Sequence, residues 1–331
     1  MKLGLILSFS ITLLLSSNSW TQQMPQYTQF TQNKSLFNPA AMALNQHQAI
    51  TMASRWQMLG FGLEPKTVSL YGQMKYQKKI KVIFNPASRI GEEIVATSKK
   101  QKIKLNHYFG GQIVSDNYGA FKSTNFDGNY ALSIPINAKW KASVGLKIGI
   151  ANNSFNANQA SVLNSANPLL PYNGGDITYD EFTSGKLNKL NISSGAGFTI
   201  SNKEFYLSIA ALNLNKNKFS FGNSSIDFDQ RIHFNLMTGY NFKITNGFDL
   251  QTAILLKKMY PTNLSIEGSA IATINYIFWG GINYRHASSL GFCAGMEITD
   301  ALKIGYSLDF PTTRINKFSN GGHEIMMSYA F

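Results

Sequence analysis

A chain of 331 residues with only 14% charged side chains falls well short of the roughly 25% usual in soluble domains, while 13% of its residues are aromatic. Its mean hydropathy of −0.12 is nevertheless far too polar for a bundle of membrane helices, and no segment holds 18 consecutive apolar side chains, so no spanning helix is available. The net charge of +13 invites a nucleic-acid reading, which the export signal described next disfavours; lipopolysaccharide phosphates, membrane lipid and acidic partner surfaces are the targets an exported protein meets.

Met1 to Thr21 reads as a secretory signal: Lys2 precedes an apolar run from Leu3 to Leu15, and small polar residues follow. Cleavage after Thr21 leaves Gln22 as the first residue. The run is too short for a bilayer span of about 20 residues, and no cysteine lies near the cleavage site to carry a lipid. Cys293 is the only cysteine, so an intramolecular disulfide is impossible despite an export route that permits one. Residues 22 to 46 are polar, lack periodicity and contain Asn38-Pro39-Ala40. They read as an extended segment, either periplasmic or plugging a lumen, ahead of a barrel over residues 47 to 331.

From there the apolar side chains alternate with small or polar ones, the period of a strand with two unlike faces. Strands are predicted at Gln48 to Met58, Lys66 to Tyr76, Leu105 to Ser115, Phe121 to Ile136 and Lys139 to Asn152. The last is the clearest: Trp140, Ala142, Val144, Leu146, Ile148 and Ile150 oppose Lys141, Ser143, Gly145, Lys147 and Gly149. Lys189 to Ser201, a strand ending near Leu214, Arg231 to Ile244, Phe248 to Met259, Leu264 to Asn275, Ile277 to His286 and Leu290 to Thr299 follow. Ala301 to Phe331 closes the series as a hairpin. The sum is an all-β fold, a single antiparallel up-and-down barrel of about 14 strands with lipid outside, integral to the outer membrane.

Connection lengths test this independently, because outer-membrane barrels alternate short periplasmic turns with longer surface loops. Asn137-Ala138, Asn202 to Glu204, Thr245 to Gly247, Tyr276 and Asp300-Ala301 are tight; residues 153 to 188, 215 to 230 and 311 to 322 are long. One connection breaks the rule. The supposed periplasmic link from Gln77 to Lys104 is long and basic, with Lys78, Lys79, Lys81, Arg89, Lys99 and Lys100 among its cations. It is either a solvated loop or a docking arm for a periplasmic partner.

Charges on the inward parity include Lys75, Lys147, Arg285, Glu297, Lys303, Asp309 and Glu324. Buried charges must pair or meet water, so Arg285, Glu297, Lys303, Asp309 and Glu324 are expected to form a mixed-sign network in the lumen. Together with the N-terminal segment it would occlude the barrel; an open, weakly selective pore is the alternative. Tyr329 and Phe331 end the last strand as an aromatic barrel-assembly signal, or as members of the interfacial aromatic girdle. The five histidines have no metal-ligand spacing, Cys293 reads as a small lumen filler, and no nucleophile-elbow, phosphate-loop or dinucleotide motif is present. No cofactor and no enzymatic activity are expected.

In order along the chain, Gln22-Gln23, Pro25-Gln26-Tyr27, Phe37-Asn38-Pro39-Ala40, Arg55-Trp56-Gln57, Gly60, Pro65, Thr67, Gly110-Gly111, Asp116-Asn117, Tyr130-Ala131, Trp279-Gly280-Gly281, Tyr284-Arg285, Gly305-Tyr306-Ser307, Asp309 and Gly322-His323-Glu324-Ile325 resemble the PorP/SprF family of type IX secretion outer-membrane proteins. Trp56 sits one place early against the family pattern, and the Gln77 to Lys104 link is longer than usual. The resemblance implies a part in secreting or displaying cargo with the type IX C-terminal signal, gliding adhesins among the candidates. It also implies periplasmic lipoprotein ring components as partners. A passive porin or hydrophobic-solute transporter is the alternative from a different class.

Overall fold

The alternation is realised as a closed wall. The computed structural model describes residues 25–45, 48–60, 64–76, 105–156, 188–215, 218–220 and 227–331; the segment expected to be a secretory signal and the basic 77–104 link lie outside these. The barrel strands are β1 (Ala49–Trp56), β2 (Lys66–Tyr76), β3 (Asn106–Tyr118), β4 (Phe121–Pro135), β5 (Lys141–Phe155), β6 (Asn188–Ser201) and β7 (Phe205–Leu212). A two-stranded hairpin, β8 (Lys218–Ser220) and β9 (Asp227–Asp229), stands apart. The barrel continues with β10 (His233–Thr245), β11 (Phe248–Met259), β12 (Ser265–Ile274), β13 (Phe278–Arg285), β14 (Ser289–Glu297), β15 (Leu302–Pro311) and β16 (Gly322–Ala330). Each barrel strand pairs antiparallel with its neighbour, and β16 returns to β1 with Ala49 opposite Ala330, closing 14 strands. Closure removes every free edge, which a chain in hydrocarbon must do.

Parity dictates what each face meets. On β5, Leu146 and Ile148 are 62% and 69% exposed, while Ser143 between the same flanking strands is buried. The wall therefore presents a continuous apolar exterior. At one end the turns are short, and side chains fix three of them. Asn137 Oδ1 accepts from the Lys139 and Trp140 amides, and Asn202 Oδ1 from those of Glu204 and Phe205. Thr299 Oγ1 accepts from the Ala301 and Leu302 amides. These Asx and hydroxyl turns reverse the chain within few residues. β2 ends and β3 begins at this same turn end, on either side of the long link.

Residues 25 to 45 run inside the barrel and are not extended. They fold into a one-turn helix α1 (Lys34–Phe37) and a 3-10 turn (Pro39–Leu44) capped by Asn38, whose Oδ1 accepts from the Ala40 amide at 2.8 Å. Proline at the first position suits that turn, since its missing N–H is one the helix start cannot use. Tyr27, Phe30, Phe37 and the Ala40 to Ala43 stretch are buried and form the apolar core with lumen-facing Tyr71, Tyr108, Met237, Leu255 and Trp279. Close approach is possible because the wall is notched opposite them: a β-carbon on Gly145 would strike the Ala40 backbone, and one on Gly197 the Asn38 side chain.

Candidate functional site: the occupied lumen

The chemistry of the molecule is concentrated inside the cylinder, in three layers from the loop end to the turn end. Nearest the loops, Arg55 on β1 stands opposite Glu324 on β16 in the closing pair. Its guanidinium lies 2.5 Å from Asp309 on β15 and 3.4 Å from Glu324. The N-terminal segment completes this cluster. The Thr28 amide donates to Glu324 at 2.7 Å, the Gln29 amide at 3.2 Å, and the Thr28 hydroxyl donates to Asp309 at 2.6 Å. All three charged groups are almost wholly buried, so two carboxylates depend on one arginine and on donors from the segment.

Beside it, Glu267 on β12 holds two cations, Arg285 at 3.1 Å and Lys257 on β11. Across the barrel, Asp127 on β4 pairs with Lys147 at 3.2 Å and accepts from Gln112 at 2.8 Å. The five charges expected to form a single lumen network therefore divide. Asp309 and Glu324 share Arg55, Arg285 turns to Glu267, and Glu297 and Lys303 form a separate, partly exposed pair at 3.5 Å near the turn end. The reason is geometric: β14 ends and β15 begins at the turn end, so Glu297 and Lys303 sit at its rim while Asp309 lies near the loops. Arg55, Glu267, Lys257 and Asp127 complete the clusters. Only inward parity could have indicated them, because their partners lie on other strands.

The middle layer anchors the segment. Asn38 Nδ2 points at the Ser208 hydroxyl, 2.5 Å away, and at the carbonyls of Ile209 and Phe198, at 3.0 and 3.2 Å. Asn235 donates to the Phe37 carbonyl at 2.9 Å, and Lys141 to the Ala43 carbonyl at 2.5 Å. Pro39 and Ala40 pack against the wall beneath, fully out of solvent. Burial pushes the Tyr27 phenol well above its ordinary range, and burial, with the Lys303 charge, lowers the Lys34 ammonium to about 8.

The third layer is a chamber of about 780 Å³ open at the turn end, roofed by Thr31 to Ser35 and walled by strand ends and turns. Lys34 sits there, its ammonium 5.4 Å from the centre of the Tyr206 ring.

Elsewhere, Tyr329 and Phe331 point outward and are exposed. Lys78, Lys79, Lys81, Arg89, Lys99 and Lys100 lie outside the described residues. Cys293 is buried, accepting from Asn283 Nδ2 and facing the Gly281 carbonyl, both at 3.6 Å. Among the described residues no three His, Cys, Asp or Glu side chains are arranged to hold a metal ion.

A closed antiparallel ring with an apolar exterior and a polar, ion-paired interior defines an outer-membrane β-barrel, here one whose lumen is occupied by the residues preceding its first strand. By convention for that class the short turns face the periplasm. The chain belongs to the type IX secretion system membrane protein PorP/SprF family, whose model matches residues 19–329. No curated protein matches it. Its structure is similar to the toluene transporter TodX of P. putida, at 9% identity over 89% of this chain and 92% of that one, with a TM-score of 0.46. The toluene transporter TbuX of Ralstonia pickettii matches at 9% identity over 89% and 92%, TM-score 0.48. Omp33 of Acinetobacter baumannii matches at 7% over 86% and 99%, TM-score 0.44.

Proposed function

We propose that the protein is a non-conducting outer-membrane anchor of the type IX system that supports secretion or surface attachment of proteins with the type IX C-terminal signal, gliding adhesins among them. What carries this reading is the occupied lumen: residues 26 to 44 are joined to the wall by charge-assisted hydrogen bonds at Glu324 and Asp309 and by the Asn38 contacts. A solute path through the barrel would have to break buried bonds to charged groups, each worth about 1.5 to 3 kcal/mol. The same feature weighs against a passive porin or hydrophobic-solute transporter.

In this reading the barrel works through its ends. The periplasmic lipoprotein ring components are the partners at the turn end, with Lys78, Lys79, Lys81, Arg89, Lys99 and Lys100 as the docking cations. Cargo and lipopolysaccharide are met at the loop end, where Lys66, Lys122 and Lys189 are the first or second residues of their strands. Tyr329 and Phe331 serve as the barrel-assembly signal, and removing Phe331 should reduce insertion. The decisive experiment is co-purification from native membranes with mass spectrometry. Secretion lipoproteins or a large surface protein in the eluate are expected, whereas their absence together with solute flux through the purified barrel would defeat the proposal.

A further inference from the structure

We infer that the interior segment is threaded from the loop end, so that the chain preceding Pro25 leaves the barrel on the cell-surface side and its amino-terminal end stands among the surface loops. The direction of threading rests on the segment's own contacts; the side of the membrane rests on the periplasmic placement of the turns used in the proposed function.

The contacts fix where the segment enters and where it leaves. The Thr28 and Gln29 amides donate to Glu324, which stands opposite Arg55, the last residue but one of β1. A β-carbon on Gly291 would come within 2.8 Å of the Thr28 methyl, and Gly291 is the third residue of β14. The end of β1 and the start of β14 both lie at the loop end. Further along, the Ser35 hydroxyl donates to Gln73 Oε1 at 3.4 Å, and Gln73 is opposite Ala49, the first residue of β1, at the turn end. Lys141, the first residue of β5, then holds the Ala43 carbonyl, and the chain passes into β1 from that same end.

Exposure changes in the same sense. Tyr27 to Thr31 are buried, whereas Gln26 and Pro25, just upstream, are partly exposed. With cleavage after Thr21, only Gln22, Gln23 and Met24 precede Pro25, and they span about 10 Å at full extension. From Arg55 down to Ala49 the wall runs about 20 Å at strand spacing. Phe30, Phe37 and the Ala40 to Ala43 stretch already fill the lumen along that way. The end is too short to reach the turns, and the route to them is taken by the chain's own core. The outer face that meets cargo and lipopolysaccharide in the proposed function therefore includes this chain end. A partner bound to it is joined through Tyr27 and Thr28 to the buried cluster at the seam.

The test is cysteine labelling of the full-length protein in cells with a membrane-impermeant maleimide, in a Cys293→Ala background that removes the one native thiol. Gln23→Cys reports the chain end, Ser165→Cys the β5–β6 loop and Ser98→Cys the basic link at the turn end. Labelling of Gln23→Cys in intact cells to the extent seen for Ser165→Cys is expected, with Ser98→Cys labelled only after the outer membrane is permeabilised. Met24→Cys repeats the measurement should Gln23→Cys lack the gel mobility of the folded barrel. Labelling of the chain end in company with Ser98→Cys and not with Ser165→Cys would overturn the threading. Labelling of it only in urea would leave the end inside the lumen and overturn the inference equally. If instead Ser98→Cys is the thiol reached in intact cells, while Gln23→Cys and Ser165→Cys are both shielded, the surface placement falls together with the periplasmic turns and the threading stands.

Discussion

Arg55 and Glu324 face each other across the pair of strands that closes the barrel, and the amides of Thr28 and Gln29 bind the same carboxylate. One buried guanidinium thus secures both the seam and the segment inside it. Arg55→Ala leaves the buried Asp309 and Glu324 carboxylates without their ion-pair partner, for which a cost of about 3 to 5 kcal/mol is expected. Arg55→Met combined with Asp309→Asn and Glu324→Gln should recover most of it, because an apolar or neutral replacement of a whole buried cluster is often tolerated. Urea titrations followed by the gel-mobility difference between folded and unfolded barrel will measure both; equal stability of Arg55→Ala and wild type would count against the seam's dependence on this arginine.

Planar-bilayer recordings of the intact protein should show no steady ohmic current, and deletion of residues 26 to 44 should produce one. Gly197→Val offers a gentler probe. Its β-carbon would occupy the place of the Asn38 side chain, so it should displace the segment and cause intermittent openings with the wall unchanged. Large currents from the intact protein would exclude an occluded lumen.

Lys34 yields a signed pH dependence. Its ammonium is held at about 8 in the folded protein against an ordinary 10.5, so the unfolded chain binds more protons between these values and stability rises with pH across that window. The charge is a burden below pH 8 that disappears by about pH 10.5. Lys34→Met should therefore be the more stable protein at pH 7 and converge with wild type at the alkaline end, as read from denaturation midpoints. A constant difference across the window would show that Lys34 does not titrate there.

On the outer face, Ile148 lies midway along β5 and is 69% exposed. Ile148→Arg should cost about 2 to 4 kcal/mol in a bilayer, the scale for a cation at the hydrocarbon midplane. Lys147→Ala, one residue along and facing inward, leaves the buried Asp127 carboxylate without its cation, a cost set in the lumen and not by the bilayer. Refolding titrations in phosphatidylcholine vesicles and in detergent separate the two, since only the Ile148 variant should gain stability when hydrocarbon is thinned.

Much of the wall is legible in the primary structure because it obeys a local rule. The β5 alternation, the Asn137 and Asn202 turns and the count of 14 all follow from period two and from turn chemistry within a few residues. Strand ends are less so: β5 runs to Phe155 and β3 to Tyr118, past the points where alternation fades, because ladder pairing with β4 continues there. The N-terminal segment, expected to be extended, folds into helical turns because its partners are glycine notches and carbonyls far away in sequence. The ion clusters fail to follow parity alone for the same reason. Inward placement identifies which charges need partners, but only barrel stagger decides that Arg285 meets Glu267 and that Lys303 remains with Glu297.

The interior segment ends at Asn45, just ahead of β1, and its earlier residues grip the strand that arrives last. Fastening the ring and filling it consequently draw on one carboxylate: Glu324 on the last strand meets Arg55 on the first and accepts from the Thr28 and Gln29 amides of its leader. A wall zipped shut around nothing would lack those donors and leave Glu324 with Arg55 as its one partner at the clasp. The cork thus belongs to the closure, and a hollow version of this cylinder would forgo the donors that its buried carboxylates use.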